Sequence, residues 1–355
     1  MKPTAVFLVG PGLVGSAFLR QFIPLKSGLS LAAICDSTRF LSLRDKVFPS
    51  SESFSYEEVL SALKQSGTYP DTMLSMTTEI QSASRTKKCI VVDCTASEKP
   101  TEHYMEWLSS GASIVTPNKI GLASCHTRFR DISKYIPTSQ LKYEATVGAG
   151  LPLISTLHSI IRSGDSIVKI EGILSGTLSY IFNNLSSSKP FSTVVGEARN
   201  LGYTEPDPRN DLDGMDVARK VVILARTCGM YVEGTNSVSR TSLVNEKLVE
   251  IEDTEDFLRY LPEFDRDISS LMEAADKKGK VLRYVGSVDV DSGQLHAGIR
   301  EYDKEHPFAN IRGSGNVISI QTGVYDADSP LVIQGPGAGA EVTAQGVLID
   351  VLGNK

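Results

Sequence analysis

Five carboxylates and a lysine lie close together in GYTEPDPRNDLDGMDVARK, residues 202–220. Glu205, Asp207, Asp211, Asp213 and Asp216 all precede Lys220. Carboxylates crowded beside few cations repel one another unless something cationic joins them. A substrate ammonium group would serve. A lysine whose pKa is lowered can hand a proton to a carbonyl oxygen or take one from an alcohol. The same residues also admit a purely structural account. Asp213 would cap a helix beginning at Gly214, with Asp216 at its third position in a capping-box role. Asp216 and Lys220 would then be an i,i+4 surface pair worth about 0.2–0.5 kcal/mol. The continuation MDVARKVVILARTCGM is strongly apolar beyond Lys220, so much of this helix is expected to be buried. A lysine and an aspartate entering a buried helix need each other or a polar ligand. Asp207, between two prolines, is expected to fix the loop, and Asp213 to cap.

A second chemical signal stands near the N-terminus. TAVFLV (4–9) runs into Gly10-Pro11-Gly12-Leu13-Val14-Gly15, which fits GxGxxG between a strand and a helix. Gly10 permits a tight turn, Gly12 lets backbone approach a pyrophosphate, and Gly15 lets helix pack on strand. The helix N-terminus supplies N–H groups and positive dipole character for phosphates. Asp36, closing the next strand SLAAICD, is placed to bond an adenosine ribose hydroxyl and favour NAD. Ser37, Thr38 and Arg39 would instead receive a 2′-phosphate, so NAD and NADP both stay open. DCTAS (93–97) and TPNKIG (116–121) also follow strands. Loops at the carboxyl ends of such strands line the ligand crevice, which brings forward Thr95, Thr116 and Lys119.

The elements needed to hold these groups follow from the pattern. Strand and helix alternate through about residue 150: YEEVLSALKQSG is helical, KKCIVVDCT a strand, EHYMEWLSSG a helix, ASIVTPN a strand, TRFRDISKYI a helix and LKYEAT (141–146) a strand. That alternation calls for a parallel sheet covered on both faces. Beyond it, IVKIEGILSG reads as a strand, and helices cluster through FDRDISSLMEAADKKG. Strands at 280–290, 294–302 and 316–326 follow, an α+β pattern. The expected architecture is an α/β Rossmann-like domain, residues 1–150 completed by 335–355, and an α+β substrate and dimerisation domain, 151–334.

Bulk properties exclude several classes. A chain of 355 residues calls for two domains. A net charge of −6 offers no broad attraction for nucleic acid or anionic lipid. No segment has the uninterrupted apolar length of a membrane span, and the N-terminus lacks the form of a signal peptide. Five cysteines without a CxxC pair argue against a disulfide framework and a thiolate metal site. A reducing, cytoplasmic setting is expected.

With these residues in view, the sequence resembles the homoserine dehydrogenase family, in its short monofunctional fungal form. GPGLVGSAF, TPNK, YEATVGAGLPLIST, KIEGILSGTLSYIFN, GYTEPDPRNDLDGMDVARKVVILAR, HPFANIRGSGNVISI and VIQGPGAGAEVTAQGVL carry the resemblance in order over nearly the whole chain. It leaves no length for an aspartokinase or ACT domain. It implies reversible, NAD(P)-dependent interconversion of L-aspartate 4-semialdehyde and L-homoserine, on the branch to threonine, isoleucine and methionine. By resemblance Lys220 is the acid/base, Asp216 orients it and helps bind substrate, and Lys119 is the rival proton donor. Glu205 and Asp211 would hold the α-ammonium or shape the pocket. Tyr203, Gly176 and Thr177 would meet other polar groups of the substrate. The resemblance further implies a monovalent cation, usually sodium, at Glu144, Val147, Ala149 and Leu151, held mostly by backbone oxygens, which suit a hard ion. It implies a cofactor contact at Gly339 and a homodimer built on the second domain's sheet. Cys94 within DCTAS departs from some relatives. An aspartate-semialdehyde dehydrogenase would need a cysteine nucleophile in a recognisable setting, which none of the five has. A silent dinucleotide-binding sensor would lack homoserine-dependent turnover.

Overall fold

A computed structural model of the protein describes residues 3–25, 27–43 and 55–354. They fall into two compact units, one running to Pro152 and resuming at Gly339, the other spanning Leu153–Ala338.

The first unit is a twisted sheet with helices in alternation. Its elements are β1 (Thr4–Val9), α1 (Leu13–Phe22), β2 (Leu29–Cys35), β3 (Phe40–Ser42), α2 (Tyr56–Gln65), α3 (Thr72–Ser84), β4 (Lys88–Asp93), α4 (Lys99–Glu102), α5 (Tyr104–Ser109), β5 (Ser113–Val115), α6 (Ile120–Ala123), α7 (His126–Ser133) and β6 (Leu141–Lys142). The strand order is β3-β2-β1-β4-β5-β6. All neighbours run parallel except the edge strand β3, which turns back on β2. Ala5–Leu8 of β1 are completely buried, because helices cover both faces.

One element is added to the expected set and one expectation is corrected. Residues 72–84 form a helix that the sequence pattern did not bring forward. Its threonines and serines are weak helix formers and blur the apolar period. Packing supplies what propensity lacks: Met73, Met76, Ile80 and Ala83 are buried, and Trp107 Nε1 donates to Thr77 Oγ1 at 2.8 Å. The strand expected over 141–146 stops at Lys142, and Glu144–Thr146 form a single 3₁₀ turn. The Glu144 N–H is drawn to Asp350 Oδ2 at 3.0 Å instead of pairing with a strand.

The second unit contains α8 (Ile154–Arg162), β7 (Ile167–Ile173), α9 (Gly176–Asn184), α10 (Phe191–Asn200), α11 (Arg209–Leu212), α12 (Met215–Thr227), β8 (Ser239–Arg240), α13 (Glu246–Val249), α14 (Thr254–Tyr260), α15 (Asp265–Asp276), β9 (Lys280–Asp289), β10 (Leu295–Asp303), β11 (Gly315–Thr322) and β12 (Leu331–Pro336). Its sheet runs β12-β11-β7-β9-β10-β8, antiparallel save for the short β8–β10 pair. Helix α12 lies directly on β9. A Cβ at Gly286 would sit 2.8 Å from Val221 and 3.1 Å from Val217, so only glycine allows this approach.

The last helix, α16 (Ala340–Leu352), belongs to the first unit. It packs along α1, where Gln21 Nε2 donates to the Glu341 carbonyl at 2.9 Å. No helix among the described residues is long and apolar enough to cross a membrane.

Candidate active site

In the first unit, the β1–α1 turn has the geometry that its glycines imply. Gly10 has φ 81°, and its N–H donates to the Cys35 carbonyl at 2.9 Å. A Cβ at Gly15 would fall 2.2 Å from the Gly10 carbonyl oxygen. Gly12 differs: no atom lies within 4 Å of where its Cβ would be. It faces open space at the N-terminus of α1, whose first turn holds no acidic residue. Unpaired N–H groups and an uncompensated helix dipole therefore front a cleft of about 440 Å³. Gly10, Gly12, Asp36 and Thr95 line that cleft. Leu13 is exposed and Val14 partly so, with Gly15 packed beneath.

Asp36 holds its own turn together. Its Oδ1 accepts from Thr38 N–H and Arg39 N–H, each at 2.7 Å, and Arg39 stands 3.8 Å from Oδ2. One carboxylate oxygen thus organises the loop while the other carries the ion pair. Lys64 and Lys99 also line the cleft, as do Leu63 and Met73. Sequence reasoning missed all four, because they come from α2, α3 and α4, outside any glycine motif.

The DCTAS and TPNK loops are welded to each other by Asp93, which is fully buried. Its carboxylate accepts from Tyr104 Oη at 2.7 Å, Thr95 N–H at 2.9 Å and Asn118 Nδ2 at 3.0 Å. Burial raises its pKa against the lowering effect of these donors. Thr116 is buried too: its hydroxyl donates to the Asp93 carbonyl at 2.8 Å and accepts from Asn118 N–H at 2.9 Å. The Thr116 N–H donates to the Lys142 carbonyl at 3.0 Å, which leaves its own carbonyl as what it can offer a ligand, whereas Thr95 reaches the cleft. Lys119 follows at the start of α6 and is partly exposed. Burial pushes the Cys94 thiol well up, which suits a packed, unreactive side chain.

The segment after β6 is the candidate cation loop. Gly148 and Ala149 take φ values of 82° and 55° in succession, and the second is unusual for a residue bearing a Cβ. Glu144, Val147, Ala149 and Leu151 are all buried. Helix α16 presses on this turn at Gly346, where a Cβ would meet the Ala149 carbonyl at 2.8 Å. Two left-handed residues in a row re-aim consecutive carbonyls, and Glu144 brings a buried carboxylate to the same segment. That oxygen donor set fits a hard cation. Among the described residues, no three His, Cys, Asp or Glu side chains gather as a metal site, so any such ion depends on backbone oxygens.

In the second unit the acidic stretch folds into two structures. Asp207 pairs with Arg209 at 2.8 Å and accepts its N–H, fixing the loop as expected. Asp213 Oδ1 accepts from Met215 N–H at 2.7 Å, so Asp213 does help to cap α12. The cap position itself is Gly214, left-handed at φ 73° and pressed against Tyr284. Asp216 and Lys220 do pair, 2.7 Å apart, but not as a surface ornament. Lys220 is only 8% exposed, and its ammonium also donates to the Leu174 carbonyl at 2.6 Å. The Asp216 side chain keeps 42% of its surface in solvent. The ammonium is therefore buried at its root and polarised by two oxygens, while its carboxylate partner opens outward.

Asp211 joins the same region from α11. Its carboxylate accepts from Thr177 Oγ1 at 2.9 Å and Glu205 N–H at 2.8 Å. Burial, then the charges of Glu205 and Asp216, raise its pKa above the ordinary range. The single Thr177 hydroxyl proton is shared with the Tyr203 carbonyl, 2.6 Å away, and the Tyr203 ring stacks on Tyr180 with centroids 4.5 Å apart. Gly176 begins α9, capped by Ser175 Oγ, which accepts from Leu178 N–H. The structure thus brings Thr177, Tyr203, Glu205 and Asp211 into one network. It sets Lys220 and Asp216 beside Leu174, the residue just before Ser175.

The profile of the homoserine dehydrogenase family matches residues 152–352, and that of its NAD-binding domain matches residues 10–142. The chain belongs to the homoserine dehydrogenase family. Homoserine dehydrogenase of Saccharomyces cerevisiae is 42% identical over 358 residues, covering 99% of this chain and 98% of its own. That of Emericella nidulans is 39% identical over 365 residues, with 99% and 98% covered. A Candida auris protein whose function is unknown superposes with a TM-score of 0.90 at 40% identity, covering 100% of this chain and 98% of its own. The enzyme is accordingly an NAD(P)-dependent oxidoreductase, and its two six-stranded sheets carry the family's mixed α/β architecture.

Proposed function

We propose that the enzyme interconverts L-aspartate 4-semialdehyde and L-homoserine, with Lys220 as the group that moves the proton. The observation that carries this is the Lys220 ammonium, buried, 2.7 Å from Asp216 and 2.6 Å from the Leu174 carbonyl. NAD(P), when bound, supplies a hydride to the aldehyde carbon or takes one from the alcohol carbon. In the reducing direction Lys220 donates a proton to the oxygen that gains charge, and the amine is then reprotonated from solvent. In the oxidising direction its neutral amine, having first released a proton to solvent, takes the hydroxyl proton. Asp216 orients the ammonium, and its exposed carboxylate is open to the substrate. Asp211, Glu205, Tyr203, Thr177 and Gly176 hold the substrate's ammonium and other polar groups. Lys119 is the second lysine of the scheme and takes the proton role if Lys220 serves only to bind.

The residues assigned to the nucleotide are Gly10, Gly12, Leu13, Val14, Gly15, Asp36, Thr95, Thr116, Lys119 and Gly339. The open face at Gly12 supports a pyrophosphate there, and Lys64 and Lys99 are suited to a 2′-phosphate. The left-handed Gly148-Ala149 pair supports a sodium ion held by Glu144, Val147, Ala149 and Leu151. A homodimer formed on the second unit's sheet completes the proposal. Free cysteines accord with the cytoplasm.

Initial rates of NAD⁺ and NADP⁺ reduction with L-homoserine test the assignment. Turnover supports it, and the ratio of the two cofactors reports what Asp36 selects. No homoserine-dependent reduction with either cofactor overturns it.

A further inference from the structure

The side chain of Asn316 has no exposed surface, and among the described residues neither its Oδ1 nor its Nδ2 has a hydrogen-bond partner. A carboxamide offers two donors and two acceptor sites. Burying all of them unpaired costs stability, and folded proteins keep few such groups without a reason. Asn316 is the second residue of β11, opposite Gly335 of β12. Its amide packs against Gly337, where a Cβ would sit 1.9 Å from Asn316 Cγ. The glycine is required there because the amide occupies the space.

The location ties this group to the candidate substrate site within the second unit. A Cβ at Gly176 would lie 3.2 Å from the Ser314 carbonyl and 3.3 Å from the Ala338 Cβ. Ser314 and Ala338 flank the Asn316–Gly337 contact, so the wall behind Gly176 is the wall that hides the amide. Asn183 Nδ2 donates to the Gly313 carbonyl at 3.0 Å, pinning α9 to the same strand entry. Gly176 leads directly into Thr177 and its Asp211 network.

We infer that Asn316 is a substrate-binding residue: its carboxamide pairs with an oxygen of the amino-acid substrate held at the Gly176–Thr177 turn, once Gly337 and Ala338 shift off it. This rests on the assignment of that turn to the substrate. An amide that is orphaned in the free protein and paired in the complex makes ligand binding, not folding, the step that satisfies it.

Asn316→Leu tests this, because leucine keeps the branched shape and removes the polar atoms. Thermal unfolding, homoserine-induced thermal shift and steady-state kinetics are measured on wild type and variant together. The expected variant melts about 2–4 °C higher without ligand. Its thermal shift with homoserine is lost and its KM for homoserine rises about tenfold or more, while its KM for the nucleotide is unchanged. Asn316→Ala, which removes the amide without adding bulk, shows the same KM split if the leucine variant does not fold. A lower melting temperature with unchanged KM for homoserine means that the amide is satisfied in the free protein, and the inference falls. A rise in nucleotide KM alone overturns it as well. Wild type without homoserine turnover removes the assignment on which it rests, a failure distinct from an inert Asn316.

Discussion

Replacing Lys220 with methionine separates its chemistry from its packing. The thioether side chain fills nearly the same volume as the lysine stem and carries no proton. In the structure the ammonium's oxygen partners include Asp216 at 2.7 Å and the Leu174 carbonyl at 2.6 Å. Losing it leaves the Leu174 carbonyl without that donor, a cost on the order of 1–3 kcal/mol if water cannot reach it. Asp216 adds little to that cost, since 42% of its side chain is already in water and the carboxylate can hydrate. The variant is therefore expected to fold, with a melting temperature lower by several degrees at most. Loss of a positioned proton donor lowers rates by about 10²–10⁴, equivalent to about 2.7–5.4 kcal/mol of activation free energy. The assay is initial rate against pH for wild type, Lys220→Met and Lys119→Met, with thermal unfolding of each. Lys220→Met is expected to lose two to four decades in kcat, and its residual rate to lose one limb of the pH profile. A kcat within tenfold of wild type with an unchanged profile would refute the reasoning. It would pass the proton role to Lys119 if the companion variant shows the loss.

Three further outcomes are expected. Gly12→Ala and Gly15→Ala should part company: the first adds a Cβ in open space, the second places one 2.2 Å from the Gly10 carbonyl. Gly12→Ala should keep its melting temperature and raise the KM for the nucleotide about tenfold, whereas Gly15→Ala should lose stability; equal effects in both assays would remove the pyrophosphate from this turn. Asp211→Asn should be more stable than wild type at pH 8, with the difference closing towards pH 4, as judged by thermal unfolding at each pH. The sign follows from a folded-state pKa raised mainly by burial: the charged form is penalised only in the folded state, so the penalty is absent below the unfolded pKa and complete above the folded one. Exchange of sodium for choline in the buffer should lower the melting temperature of wild type but not of Glu144→Gln, if the Gly148-Ala149 turn binds the ion.

The sequence by itself determined the periodic and the stereochemically forced parts. TAVFLV followed by GPGLVG specifies strand, tight turn and helix, because that close-packed turn admits few residues other than glycine, and Gly10 and Gly15 sit where a Cβ would collide. The Asp216–Lys220 pairing was also legible, since helical spacing brings residues four apart onto one face. Its meaning was not. Whether that pair is a solvated surface contact or a buried ammonium depends on Leu174, just past β7, and on β9, which come from distant sequence and supply the carbonyl and the covering surface. Residues 72–84 hid their helix for the same reason: threonine and serine carry weak local preference, and burial of Met76 and Ile80 decides. Lys64 and Lys99 reach the nucleotide cleft only through the placement of α2 and α4. Asn316 shows the limit most plainly. A lone asparagine in a strand carries no signal, and only the packing of Gly337 over its amide makes it a group in want of a partner. Local sequence sets backbone geometry, but burial, and with it the strength of every charge and hydrogen bond, is a property of the assembled fold.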